Sequence, residues 1–286
     1  MKIFKNVKPT GRIGDKMINR LTSFLKKGKD IHPSVKIDIS SEQSIVFISL
    51  HKCATTFFTN TVFQELQGLK LVDYQSYEYT HEADLSIKPT IHSHGYLYAV
   101  LRMYDREHPG YKLTNELLKI SNLKKVKTIF WTRDPRDILV SLYFSFGFSH
   151  TLSPNSAIQA HQLERREKIQ KMDLDTYVLH EAPNLKWKFE TMYTLMQQLP
   201  EHLFLRYEQM IDDFDPLFEQ LSDFIGLDKS LHNKMLMQTR PNETEDISQH
   251  KRSGKTGAYK EKLKPETVKA LNDILSPTLK KFGYVV

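Results

Sequence analysis

Residues 44–60 read SIVFISLHKCATTFFTN, and the character of the chain changes halfway along them. Ile45, Val46, Phe47, Ile48 and Leu50 form a short apolar run rich in β-branched side chains, the pattern of a strand covered on both faces. His51, Lys52 and Cys53 then lead to Thr55 and Thr56, after which Phe57, Phe58, Val62, Phe63 and Leu66 recur at helical spacing. A buried strand, a basic turn and a helix start make a site for an anion, because the first N–H groups of a helix lack intrahelical partners and its dipole favours negative charge. Lys52 adds a mobile positive charge, and the hydroxyls of Thr55 and Thr56 add donors. The triphosphatase pattern G-x-x-x-x-G-K-[ST] is not met, since the loop holds no glycine and Cys53 follows the lysine.

Strand-like and helix-like segments alternate through the rest of the chain. GLKLVDY, the stretch after Pro89, VKTIFWT and HLFLRYE read as strands, with helical patterns between and after them. Such alternation predicts an α/β fold, a single P-loop-like domain with a central parallel sheet flanked by helices, whose ligands bind beyond the carboxyl ends of the strands. The 286 residues hold one cysteine, so an intrachain disulfide is excluded, and no Cys-x-x-Cys zinc signature is present. No apolar run reaches the length of a membrane span and no secretory signal core opens the chain, which predicts a cytosolic protein.

The formal charge of +7 is concentrated at the start, where residues 1–30 carry nine Lys or Arg and two Asp, while the remainder is balanced. Ile13, Met17, Ile18, Leu21, Phe24 and Leu25 share one helical face beside Lys16, Arg20, Lys26 and Lys27. Residues 1–40 therefore read as a basic amphipathic arm, which packs on the domain of residues 41–286 or lies on an anionic membrane surface. No DNA-reading motif or basic, aromatic-studded sheet is found, so nucleic acid is not an expected partner.

Two further segments carry anion chemistry. In WTRDPRDILVS, Asp134 suits an N-cap, Pro135 the first helical position and Asp137 a capping-box role, which leaves Arg133 at a strand end beside a helix start. Ser141 lies about two helical turns further on. In RSGKTGAYK, Arg252, Lys255 and Lys260 are spaced by Gly254 and Gly257, which allow backbone N–H groups close to an anion.

SLHKCATTFF, RDPRDILVS and RSGKTGAYKEKLKPE, in that order, resemble the cytosolic-type sulfotransferases, which use 3′-phosphoadenosine 5′-phosphosulfate as sulfuryl donor. The resemblance spans residues 44–282 and implies one nucleotide with two separated anionic ends. It assigns His51, Lys52, Cys53, Ala54, Thr55, Thr56 and Phe57 to the 5′-phosphosulfate loop. Arg133 and Ser141, with Arg252, Ser253 and Gly254, go to the 3′-phosphate, and Tyr207 lies near adenine. His51, Cys53 and Ala54 stand where the family has proline, serine and glycine; Phe57 stands for a tryptophan that stacks on adenine, and Ser253 for a lysine.

The family's base is a histidine after a small hydroxyl residue just past a strand, and TIHSHGY offers His94, preferred through its Ser93–His94 step, and His92. An H-x-H pair also suits a metal, but no third ligand is identifiable, and the implied chemistry calls for none. The implied reaction is an in-line displacement, with the histidine taking the acceptor proton and Lys52 stabilising the departing oxygen, while Ser141 holds Lys52 until donor binds. Cys53 reads as an ordinary helix-start residue, with a lowered, oxidisable thiol as the lesser reading. The acceptor is a small molecule, lipid or glycan, and Tyr143, Phe144, Phe146 and Phe148 are candidates for its walls. The alternatives are a nucleotide-dependent kinase and a non-catalytic phosphonucleotide-binding or membrane-surface adaptor.

Overall fold

The computed structural model describes residues 41–80, 89–239 and 255–286. The basic arm of residues 1–40 and the residues Arg252, Ser253 and Gly254 lie outside the described residues.

Five parallel strands form one sheet in the order β2-β3-β1-β4-β5, where β1 is Ile45–Ser49, β2 Lys70–Val72, β3 Tyr96–Arg102, β4 Lys127–Thr132 and β5 His202–Arg206. Every residue of β1 is buried, and β3 and β4 each have a single residue that is not. Continuous apolar strands of this kind need cover on both faces, which explains their lack of alternation. The five described helices of ten or more residues are α1 (Pro135–Phe144), α2 (Ser156–Gln170), α3 (Leu174–Gln198), α4 (Phe214–Ile225) and α5 (Pro265–Lys281).

The expected strands are all present, and α4 stops at Gly226 in the left-handed conformation (φ 71°), as its glycine predicts. Pro183 is accommodated inside α3. One expectation shifts. The extended run after Pro89 becomes a strand only at Tyr96, after a turn at Gly95 (φ 83°). That delay of a few residues decides where the two histidines of TIHSHGY fall.

The centre of the core joins β1, β4 and the helix after the loop. Phe58 packs against Phe47 (ring centroids 4.5 Å) and Trp131 (4.7 Å). Trp131 donates its indole N–H to the carbonyl of Cys53, and Ser49 Oγ donates to the Trp131 carbonyl at 3.0 Å. The loop after β1 is thereby fastened to β4 by polar contacts inside an apolar core, where such bonds resist exchange with water.

Candidate active site

Loops following β1, β3 and β4 meet at the carboxyl end of the sheet. In the first, Lys52 and Ala54 both adopt left-handed backbone (φ 68° and 55°), and helix begins at Thr56. Ala54 thus keeps the backbone of a glycine despite its Cβ, a strain of about 1–2 kcal/mol. Lys52 Nζ donates to Ser145 Oγ at 3.1 Å. Ser145 lies one turn beyond Ser141, the residue expected to hold the ammonium. The signal was present, since SLYFS puts both serines on one helix face. Thr55 Oγ1 accepts from the Arg102 guanidinium at 3.1 Å, which brings a second cation, from the end of β3, to this loop.

Cys53 and Phe57 point inward. Cys53 is fully buried, and that burial pushes its thiol up to about 12, opposite to the lowered pKa that a helix-start position predicts. Phe57 is buried against Phe58 (5.3 Å) and Phe214 (6.5 Å).

Arg133 follows β4. Its guanidinium donates to Asp137 Oδ2 (3.3 Å) and to the Lys255 carbonyl (3.0 Å) and lies 4.6 Å over the Tyr207 ring, while its Nε is buried without a hydrogen-bond partner. Asp134 caps α1 as predicted, accepting from Arg136 N at 2.9 Å. Asp137 takes no capping-box role. Its fully buried carboxylate accepts instead from the backbone of Gly257 (2.8 Å) and Tyr259 (3.0 Å), fixing the segment that follows Arg252, Ser253 and Gly254.

His92 and His94 are at the other end of the sheet. His94 faces Gln43 across an antiparallel bridge before β1, and Ser93 Oγ lies 2.9 Å from its Nδ1. His92 leans on Tyr96, the first residue of β3. The length of a strand, roughly 15 Å at the usual rise per residue, therefore separates them from Lys52. The expected base assignment is overturned: these histidines precede β3, and a catalytic histidine on this sheet has to follow a strand. The overlooked signal was the abrupt change from YLYAVL to RMYDREH at residues 96–108, the same apolar-to-charged switch that marks the ends of β1 and β4.

What does follow β3 lines a cavity of about 60 Å³. Its walls include His51 from the first loop, Tyr104, Asp105 and His108 after β3, Phe146 and His150 after α1, His161 and Arg165 of α2, and Lys188 of α3. The His51 ring lies 5.6 Å from that of Tyr104 and 5.5 Å from that of Phe146. Burial, reinforced by Arg102 and Lys188, holds His51 well below the ordinary imidazole value. His108 stacks on Tyr104 at 3.7 Å, and burial together with His161 brings its pKa down to about 3. His108 Nδ1 accepts from Gly110 N at 2.9 Å, so its proton resides on Nε2. Of the aromatic residues expected to wall an acceptor site, Phe146 lines this cavity, whereas Phe148 is 52% exposed. Among the described residues no group of His, Cys, Asp and Glu is arranged to hold a metal ion, and no helix is long and apolar enough to cross a membrane.

Comparison with known proteins gives this geometry its family. The mouse sulfotransferase SULT7A1 complexed with PAP is 17% identical over 84% of this chain and 84% of its own, with a TM-score of 0.45. A retinol dehydratase in complex with androsterone and inactive cofactor PAP is 14% identical over 92% of this chain and 87% of its own, with a TM-score of 0.48. No curated protein matches the chain. The sulfotransferase domain model matches residues 42–283, from just before β1 to just past α5, and the chain therefore belongs to the sulfotransferase domain family.

Proposed function

We propose that the protein transfers a sulfuryl group from 3′-phosphoadenosine 5′-phosphosulfate to an acceptor hydroxyl, with Lys52 and His51 at the reacting centre. The observation that carries this reading is the convergence of two adjacent residues on two others: Lys52 bonds to Ser145 while the His51 ring packs on Phe146. An ammonium suited to a leaving phosphate oxygen and an imidazole open to the acceptor cavity thus stand side by side. The donor supplies an activated sulfuryl group that leaves behind a stable phosphate anion.

The residues present fit such a donor. Lys52 and Arg102 meet at the loop after β1, and Arg133, whose buried Nε has no hydrogen-bond partner among the described residues, lies after the adjacent β4, with Ser141 further along α1. Cations after two neighbouring strands suit the two anionic ends of one nucleotide. Arg133 reaches the carbonyl of Lys255, three residues past Arg252, which supports a shared 3′-phosphate role for Arg133, Ser141, Arg252, Ser253 and Gly254. Tyr207 carries the Arg133 guanidinium on its ring and stands on the adenine side in this reading, while Phe57 packs inward on Phe58 and Phe214.

The acceptor oxygen forms its new bond to sulfur as the bond from sulfur to the bridging oxygen breaks, and the electron pair departs with the phosphate toward Lys52. The acceptor proton goes to His51. Burial, reinforced by Arg102 and Lys188, keeps that imidazole neutral without donor, and the negative charge of bound donor offsets the two cations, raising its basicity as proton transfer requires. The enzyme works in the cytosol, and its basic arm, residues 1–40, offers peripheral contact with an anionic membrane.

Thermal stabilisation by 3′,5′-bisphosphoadenosine is the direct test. A clear shift with the bisphosphate and little with ATP, with or without magnesium, is expected. The reverse order would favour a kinase and sink the donor assignment.

A further inference from the structure

The cavity beside His51 is poorly suited to an apolar acceptor. Lys188 and Arg165 have side chains only 10% and 22% exposed, and Arg166 completes a set of three cations facing one lining carboxylate, Asp105. Lys188 is 3.5 Å from Asp105 Oδ2, the far limit of a hydrogen bond, where well-made charged pairs are near 2.8 Å. Burial pushes the lysine down, and it also works against the Asp105 carboxylate, but Lys188 and Arg165 outweigh it there and bring the carboxyl below its ordinary value. Arg165 pairs with Glu181 behind the wall at 3.2 Å and lies 4.5 Å over the Phe146 ring. Arg166 donates to the carbonyls of Phe146 and His150. Asp105 Oδ1 and His161 Nε2 are buried and have no hydrogen-bond partner.

We infer that this cavity receives a hydroxyl compound that also carries an anionic group, a hydroxy acid or an acidic sugar. The inference rests on the sulfotransferase reading above and names the acceptor class of that site. An apolar acceptor strips water from a loosely made buried pair and returns nothing, a loss that close geometry alone offsets. An acidic, hydroxylated one answers each open group. Its anion meets Lys188 on the side shared with Arg165, a hydroxyl donates to Asp105 Oδ1, another meets His161 Nε2, and the reacting hydroxyl faces His51. Phe146 and Tyr104 supply flat apolar walls for a small ring.

The experiment uses the full chain saturated with 3′,5′-bisphosphoadenosine and follows calorimetric binding of two matched pairs: methyl glucuronide against methyl glucoside, and 4-hydroxyphenylacetate against its amide. The acid is expected to bind roughly tenfold more tightly than its neutral twin, with the advantage shrinking as salt rises. Lys188→Gln should erase the preference and Lys188→Arg should keep it, while both retain bisphosphate affinity as proof of folding. Arg165→Gln serves if Lys188→Gln does not fold. Neutral twins binding as well as the acids, or a full preference surviving in Lys188→Gln, overturns the inference. Failure of the bisphosphate itself to bind the unaltered protein is a separate result, and it strikes the donor reading on which the inference rests.

Discussion

Lys52 Nζ and Ser145 Oγ lie 3.1 Å apart, joining the loop after β1 to the turn after α1. An ammonium parked on a neutral hydroxyl can be drawn away by an arriving anion, since its bond to a charged oxygen is about twice as strong. Lys52→Ala should therefore lower turnover about 10²- to 10³-fold, the usual loss for a donor aimed at developing charge. Ser145→Ala should cost no more than about tenfold, because the hydroxyl only holds the ammonium. Single-turnover rates with saturating donor separate the two, and equal losses would show that Ser145 itself contacts the reacting group.

His51 and His94 offer a second contrast, set by strand direction. His51→Gln should depress kcat about 10²- to 10⁴-fold and abolish the acidic limb of the pH–rate profile, as expected when a base is removed. His94→Ala, at the far end of the sheet, should remain within about twofold of the parent, the size of an ordinary surface change. A collapse of activity in His94→Ala with normal folding would return the base to the Ser93–His94 step.

The strands and the anion loops were legible in the sequence because each is announced locally. β1 and β4 are unbroken apolar runs that stop at charged residues, and Asp134 and Pro135 mark the helix between them and the phosphate side. TIHSHGY by itself carries no sign of which end of β3 it occupies, and only the apolar-to-charged switch after Leu101 marks where that strand ends. A turn at Gly95 delays the strand, and that delay moves His94 from one end of the sheet to the other. The lesser reading of Cys53, a lowered thiol, is excluded for a related reason. Helix-start position lowers a thiol pKa only where solvent or cations reach it, and this thiol is fully buried in a loop fastened to Trp131 of β4.

Buried imidazoles set the acid limit of stability. His51 and His108 have folded-state pKa values below the unfolded value, His108 at about 3, so between roughly pH 6.5 and 3 the unfolded chain binds more protons than the folded one. Their contribution to stability is therefore complete above about pH 7 and is lost with acidification through that window. His108→Gln, which keeps a hydrogen-bonding ring substitute that cannot ionise there, should flatten the slope of Tm against pH between about 6.5 and 4. An unchanged slope would show that His108 is not among the groups taking up protons.

Ala54 supplies a test of backbone strain at the reacting loop. Its φ of 55° favours glycine, and Ala54→Gly relieves about 1–2 kcal/mol of native strain while adding about 0.4–1 kcal/mol of unfolded-state entropy. A net gain of a few tenths to about 1 kcal/mol is expected, read as a rise of a few degrees or less in Tm. A clear loss of stability would mean that the alanine methyl packs usefully in the loop, and then the glycine of related loops is no simple replacement.

Asp137 joins both halves of the proposed 3′-phosphate site, and its removal should therefore be felt in ligand affinity as well as in stability. Its carboxylate has no exposed side-chain surface; it accepts from the backbone of Gly257 and Tyr259 and pairs with Arg133 at 3.3 Å. In Asp137→Asn one oxygen becomes an NH₂ group, which cannot accept and which faces a donor. Breaking a buried pair of this kind costs about 3–5 kcal/mol of stability. The Gly257 segment and the Arg133 guanidinium then lose their common anchor. Bisphosphate affinity should fall about tenfold or more, although Asp137 itself is not assigned to the ligand. Arg133→Ala should weaken the same binding about ten- to a hundredfold, and the double variant should fall short of the sum because both changes release one element. Full additivity in that cycle would show that Asp137 and Arg133 act on the nucleotide independently, and the shared-anchor account of the site would fail.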